Sequence, residues 1–359
     1  MLKSNKVLNA VEAEAPEAIH RALADVPVFE DLRVEISPKM GPGSQADLVV
    51  HLRSNRQVWT LICDVKANGQ PRIVRDAAAQ LQAYVRTLGP RVVPVFVAPY
   101  LTEEARGLCR EMEVNYLDFA GNCRFSFGSV FVERESASRP PAVKRALRSL
   151  FKPKSAQILR VLLRHPNRTW KVADLAQTAA VSLGHISNVT SALIDREWGA
   201  RDEDGFKLVR PELLLDHWRD NYEPPSGQVE RFYTVLHGKA FEKAAEQLFE
   251  QVPDAAALAS FSAAEWLAPY GRISTHYIYA TRRAMPILRS VFRAEPAAKG
   301  DNLVVTVLED EGVLHDTLEP HRSIRTTSLV QTYLDLAQAG ERGREAADHL
   351  REERLTWLS

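Results

Sequence analysis

Apolar side chains at Val11, Ala15, Ile19 and Leu23 recur at helical spacing and predict a helix over about 7–23. Pro16 falls inside it, which predicts a kink or a division into two short helices. Four short runs rich in β-branched residues follow: LRVEIS, ADLVVHL, VWTLICDVKA and RVVPVFVA. They read as strands. Between the third and fourth, Ile73, Ala77, Leu81 and Val85 return to helical spacing, and Gly89 ends that helix. TEEARGLCREMEV predicts another helix, with Thr102 as its cap and Glu103 and Glu104 at its positive end. NYLDFAGNCRFSFGSVFVE closes the stretch as strand, turn and strand. Residues 1–135 therefore read as one α/β domain.

Pro140 and Pro141 break the pattern within 136–152, SASRPPAVKRALRSLFK, and a domain boundary is placed there. SAQILRVLLRH, VADLAQTA and HISNVTSALIDR then predict three helices, with VSLG as the turn between the second and third. GARDEDGFKLV predicts a tight hairpin with Asp204-Gly205 at its tip, and RPELLLDHWRDNY a closing helix. Three helices and a wing over 150–222 describe a winged helix-turn-helix. The remainder, 225–359, reads as a mixed α/β domain. A helix is expected over VERFYTVLHGKAFEKAAEQLFEQV and another near SAAEWLAPYG. Strands are expected at HYIYA, LVVTVLE and GVLHDTL, and a final helical segment from SLVQTYLDLAQA to the end.

At 359 residues the chain has room for two or three domains. Its 45% apolar and 26% charged content is that of a folded chain, not a disordered one. Three cysteines, Cys63, Cys109 and Cys123, match no disulfide or zinc spacing and read as buried thiols in a reducing cytosol. No apolar run approaches a membrane span and no signal core precedes the first helix, so a cytoplasmic protein without membrane partners is expected. The formal net charge of zero hides one asymmetry. From Arg134 to Arg168 there are ten Lys or Arg and a single acid, Glu135.

That asymmetry points to double-stranded DNA. In the third helix of 150–222, Ile186, Val189, Leu193 and Ile194 face inward. His185, Asn188 and Ser191 fall on the other side, with Ser187 at the margin. Small polar side chains there let the backbone approach base edges, and Asn pairs bidentately with adenine. Ser182 is placed to cap the helix and leave its N–H groups for a phosphate. Lys144, Arg145, Arg148, Lys152 and Lys154 are candidates for phosphate contacts that set position and affinity. Asp202, Glu203 and Asp204 repel phosphates from the hairpin, and Lys207 and Arg210 offset them. A protein-binding or dimerising role is the alternative for such a domain.

The first domain carries a second candidate chemistry. Asp47 opens one strand, and Asp64-Val65-Lys66 ends the next. Strand alternation sends Asp64 and Lys66 to one side, where Asp47 can join them. Two carboxylates and a lysine suit a Mg²⁺-dependent phosphodiester site. An ordinary surface ion pair between Asp64 and Lys66 is the plainer reading. YLDFAGNCRF holds Asp118, Gly121 and Asn122, with Gly121-Asn122 suited to a tight turn whose N–H groups Asp118 accepts.

The Asp47, Asp64 and Lys66 spacing resembles the PD-(D/E)XK nuclease superfamily, with Ala46 where that pattern has Pro. The resemblance implies a restriction-endonuclease-like α/β domain, with Asp47 and Asp64 as metal ligands and Lys66 assisting the nucleophile. Gln80 matches a helical Gln of some members, and Glu12, Glu14 or Glu17 would supply a further acid. YLDFAGNCRF, the winged segment and SLVQTYLDLAQAGERGREAADHL, in that order, resemble the AbiEi-type antitoxins and regulators of type IV toxin–antitoxin systems. That resemblance implies DNA binding, repression of the protein's own operon and a nucleotidyltransferase-like toxin as partner. Here some 150 residues precede the winged segment, a departure from the better-known members, which begin with it.

The chain thus reads as an α/β multidomain protein whose first expected function is sequence-specific transcriptional regulation without catalysis. No cofactor is required for it, and a homodimer remains open. A Mg²⁺-dependent nuclease guided by the winged domain is second, and a protein-binding assembly factor third.

Overall fold

Pro16 does not divide the first helix: α1 runs from Leu2 to Leu23 in the computed structural model, which describes residues 2–24, 26–41, 44–136, 139–272 and 274–357. Val11, Ala15, Ala18, Ile19, Ala22 and Leu23 are buried along it, and this packing outweighs the local cost of proline. After it come β1 (Glu30–Ile36), β2 (Lys39–Gly41), β3 (Ser44–Gln45), β4 (Leu48–Ser54) and β5 (Gln57–Val65). Next are α2 (Pro71–Val85), β6 (Val92–Ala98), α3 (Glu103–Glu111), β7 (Asn115–Asp118), β8 (Cys123–Phe127) and β9 (Val130–Arg134). Thr102 caps α3 by accepting the Ala105 N–H at 3.2 Å, as its sequence predicts. The expected strand, turn and strand after α3 contains one strand more, because SFGSV turns a second time at Gly128 (φ 56°).

Seven of these strands form one sheet in the order β1-β4-β5-β6-β7-β8-β9. The centre, β5-β6-β7, is parallel and the flanks are antiparallel. Alternation along β4 and β5 divides the core in two. Leu48, Val50, Leu61, Cys63 and Val65 pack under α1, whereas Val49 and Ile62 pack under α2 and α3. All three cysteines are buried and free.

A helix, α4 (Pro141–Leu150), follows within the basic stretch where a domain boundary is expected; of that stretch, Ala137 and Ser138 lie outside the described residues. The molecule has a multidomain α/β architecture, and it divides near this helix. One unit is Met1–Ala146 with Asp195–Glu197, the other Leu147–Ile194 with Trp198–Ser359.

The second unit begins with α5 (Pro153–Arg164), α6 (Val172–Thr178) and α7 (Leu183–Asp195). The hairpin β10 (Gly199–Arg201) and β11 (Phe206–Leu208) and the helix α8 (Pro211–Asp220) follow. The rest comprises β12 (Gly227–Tyr233), α9 (Lys239–Gln251), β13 (Ala256–Leu258), α10 (Ser260–Leu267), β14 (His276–Ala280) and α11 (Met285–Val291). It ends with β15 (Glu295–Pro296), β16 (Leu303–Leu308), β17 (Thr317–His321), β18 (Ile324–Thr327), α12 (Leu329–Ala337) and α13 (Gly340–Arg354). A mixed sheet runs β15-β12-β16-β14-β13-β18-β17. Ile158, Leu162, Leu193, Leu214 and Trp218 share one apolar cluster with Leu267, Tyr333, Leu334 and Leu350. The structure therefore groups in one unit the segments that the sequence divides into 150–222 and 225–359.

Two local expectations fail. VERFY, expected as helix, is β12, because Gly227–Phe232 pair antiparallel with Leu308–Leu303 of β16. GVLHDTL, expected as strand, begins as a 3-10 turn over Glu311–His315, with Asp310 accepting the Gly312 N–H at 2.8 Å.

A buried polar network ties α12 to its neighbours. Asp335 Oδ1 accepts the Tyr222 hydroxyl, the Tyr279 hydroxyl at 2.9 Å and Gln331 Nε2 at 3.0 Å. Burial pushes its carboxyl up from 3.8 to about 6 despite those donors. The fold therefore favours the protonated form. That contribution, about 3 kcal/mol, is complete below the unfolded value near 3.8 and lost as pH rises through about 6. Thermal melts are expected to show wild type losing stability relative to Asp335→Asn between pH 4 and pH 7. Parallel pH profiles for the two proteins would remove Asp335 as the titrating group.

Candidate functional site

The third helix of the central segment presents the surface that its spacing predicts. Ile186, Val189 and Leu193 are buried and Ile194 is half-buried. Ser182, Ser187, Asn188 and Ser191 are exposed. Ser182 Oγ accepts the His185 N–H at 3.4 Å, a long capping contact at the start of α7. His185 departs from the expectation: it is half-buried, and its Nε2 lies 3.2 Å from Ser155 Oγ of α5. Its ring fixes α7 to α5 instead of projecting with the serines. Leu183, by contrast, stands 59% exposed among these polar groups, a residue the polarity pattern passes over.

The hairpin is joined to the helices through Trp170. Trp170 N–H donates to Phe206 O at 2.7 Å, and Phe206 N–H returns the bond to Trp170 O at 2.9 Å. This bridge makes a third short extended segment beside β10 and β11. At the tip, Asp202 Oδ1 accepts the N–H groups of Asp204 and Gly205, both at 3.1 Å. Gly205 has φ 141°, and a Cβ there would lie 2.4 Å from Trp170 O, so the position requires glycine.

Lys144, Arg145, Arg148, Lys152, Lys154 and Lys207 are all exposed. Four of them already face acids. Arg148 and Lys152 lie 3.9 and 3.4 Å from Glu223, Lys154 lies 4.0 Å from Asp310, and Lys207 lies 3.7 Å from Asp202. Sequence spacing hides these partners because Glu223 and Asp310 are distant in the chain.

In the first unit, β4 pairs with β5 as Leu48↔Cys63, and continuing that register sets Asp47 opposite Asp64. Asp47 Oδ2 accepts the Val65 N–H at 2.8 Å, and Lys66 Nζ donates to Asp64 Oδ1. All three side chains are half-buried. Burial raises the Asp64 carboxyl pKa most, Lys66 lowers it, and Asp47 adds a smaller rise. Asp47, Asp64 and Lys66 are thus brought together on the face of the sheet that α2 covers. Gln80 is exposed on α2. Tyr84, one turn further, is half-buried, and its hydroxyl has no hydrogen-bond partner. Glu12, Glu14 and Glu17 do not join, because α1 packs on the opposite face. Among the described residues no three acids, histidines or cysteines form a metal-holding group. A metal would therefore rest on Asp47 and Asp64 alone, and no catalytic step is derived through one.

Asp118, the other marked residue, is structural as its turn predicts. It is 1% exposed. Its Oδ1 accepts Asn122 N–H at 2.9 Å, and its Oδ2 accepts Leu101 N–H at 2.9 Å and Asn122 Nδ2 at 2.7 Å.

No helix of the described residues is long and apolar enough to cross a membrane. No curated protein matches the chain. One solved structure, titled "Structure of EndoMS in apo form", is similar over 30% of this chain and 45% of that one, at 21% identity and a TM-score of 0.21. A likeness that slight assigns no fold, and the chain spans under half the length of that relative. Residues 207–356, from the second hairpin strand to α13, match the AbiEi_2 family, described as "Transcriptional regulator, AbiEi antitoxin, Type IV TA system", so by its C-terminal region this chain matches a family of transcriptional regulators and antitoxins.

Proposed function

We propose that the chain is a sequence-specific DNA-binding regulator, an autorepressor and antitoxin of a type IV toxin–antitoxin-like system, with α7 as the helix that enters the major groove. The observation that carries this is the exposed set Ser182, Ser187, Asn188 and Ser191 on a helix whose other face is buried. Helix, turn, helix and a hairpin bridged at Trp170 follow the order of a winged helix-turn-helix. The family match over 207–356 supports regulation and an antitoxin role, and the partner proposed for that role is a nucleotidyltransferase-like toxin.

The purified protein is expected to bind its own promoter duplex more tightly than a scrambled duplex. Asn188→Ala is expected to reduce that preference by about tenfold, the loss of roughly one bidentate base contact. A gel-shift titration measures both ratios. Equal affinity of wild type for the two duplexes would refute specific regulation; an unchanged ratio for Asn188→Ala would refute the assignment of the helix face.

A second reading, a metal-dependent nuclease, is favoured by the convergence of Asp47, Asp64 and Lys66. The missing third acid weighs against it. No cleavage of supercoiled, linear or single-stranded DNA is expected in Mg²⁺ or Mn²⁺. Cleavage by wild type that vanishes in both Asp64→Asn and Lys66→Ala would make the nuclease reading the better one.

A further inference from the structure

Arg160 is a buried cation of the second unit. It lies on α5 and is 4% exposed. Its guanidinium donates only to neutral oxygens, Gln331 Oε1 at 3.1 Å and Gly312 O at 3.0 Å. Its Nε–H has no acceptor. Among the described residues no carboxylate lies within ion-pair distance of it. Asp316, Asp335 and Asp310 act on it from beyond that distance, and the strongest of them, Asp316, gives its Oδ1 to Arg164. A buried cation without an ion pair in contact and with an unsatisfied N–H is costly.

The same side chain lines a cavity of about 130 Å³. Phe151, Lys152, Ala156, Trp218 and Gln331 are among the side chains that line it. The Phe151 and Trp218 rings lie parallel, with centroids 5.8 Å apart and planes 4° apart, and supply an apolar surface. Two acids also reach the lining, Glu223 and Asp310. Both already have cations, Lys152 with Arg148 and Lys154 respectively. Of the charges that line the cavity, Arg160 is therefore the one without an ion-pair contact among the described residues.

We propose that this cavity binds a small aromatic monocarboxylate whose anionic group pairs with Arg160 and whose ring lies against the Phe151–Trp218 wall. A single negative charge suits the one lining cation without an ion-pair contact, and Glu223 and Asp310 disfavour a dianion such as phosphate. The volume is close to that of a buried apolar cavity known to admit benzene, roughly 150 Å³. Lys152, Ala156 and Arg160 belong to or adjoin α5, whereas Gln331 belongs to α12. The ligand thus joins the helices proposed to bind DNA to the region that matches the regulator family, and it acts as an effector. The effector role, though not the site, rests on the DNA-binding reading.

Benzoate is the probe, with benzamide as its neutral counterpart and inorganic phosphate as the dianion, each titrated by calorimetry into the full chain. Benzoate is expected to saturate one site with a Kd below about 1 mM, as its size allows. Benzamide and phosphate are expected to bind at least tenfold more weakly. Ala156→Leu, which fills the cavity and spares the charges, is expected to abolish the heat. Arg160→Met is expected to weaken benzoate at least tenfold if it folds, and Ala156→Leu decides the matter if it does not. Absence of saturable benzoate binding, or binding that survives in Ala156→Leu, overturns the site. Gel shifts with and without benzoate then test the effector role: at least a threefold change in promoter affinity supports it, and no change overturns it. A protein with no duplex affinity under any condition overturns the DNA-binding reading and with it the effector role, while calorimetry still decides the site.

Discussion

Asp118→Ala is expected to lower the stability of the first unit by about 3–5 kcal/mol, the penalty of leaving several buried donors without an acceptor. Three donors lose their partner together: the backbone N–H groups of Leu101 and Asn122, and the Asn122 amide. Each buried orphan costs about 1–3 kcal/mol, and the three share one pocket, so their costs do not add in full. The effect propagates, because Asn122 Oδ1 also accepts the Ser136 N–H at 2.7 Å. Asn122 is fully buried, and so is the Leu101 side chain. Water therefore cannot reach the freed groups without opening the turn. Asp118→Asn keeps one carbonyl oxygen for these donors and is expected to lose about half as much. Calorimetric melts should place the Asp118→Ala transition roughly 10–15 °C below wild type for a unit of this size. A shift of under about 3 °C would show that the turn is not held by this carboxylate.

Promoter affinity is expected to fall about 100-fold between 50 and 200 mM salt if Arg148, Lys152, Lys154 and Lys207 each neutralise one phosphate. Four contacts give a logarithmic slope of about −3.6, and the salt range is fourfold. The four side chains are exposed and face Glu223, Asp310 and Asp202 across 3.4 to 4.0 Å. Exposed pairs of this kind contribute about 0–1 kcal/mol each, so they yield to phosphates. Combined replacement of Lys152 and Lys154 by Ala should lower affinity for all duplexes alike and reduce the slope by about 2. Glu223→Gln should act in the opposite direction, since it releases Arg148 and Lys152. Gel shifts across the salt range measure all three. A slope shallower than about −1 would exclude these residues as the phosphate contacts.

Local features were legible in the sequence because their causes are local. The face of α7 follows from 3.6-residue periodicity, so Ile186, Val189 and Leu193 are buried and Asn188 and Ser191 exposed as expected. The juxtaposition of Asp47, Asp64 and Lys66 follows from two antiparallel strands that are neighbours in the chain. The turn at Gly121-Asn122 carries its own acceptor in Asp118 four residues before Asn122.

What depends on distant partners was decided only by the tertiary structure. VERFY has no strong period of its own, and the strand β16, more than seventy residues later, makes it a strand. Pro16 stays within a helix because the sheet beneath holds both turns around it. His185, placed outward by periodicity, is held by Ser155 thirty residues before it. The cations Arg148 and Lys152 meet Glu223, whose position depends on where α8 ends. Arg160 sits in a helix whose buried positions run without interruption from Ser155 to Leu163. Sequence alone determined that α5 is helical. The packing of α12 and the 3-10 turn against it determined that a guanidinium would be buried without an ion pair in contact, because burial on every side of a helix is a property of its neighbours and not of its own period.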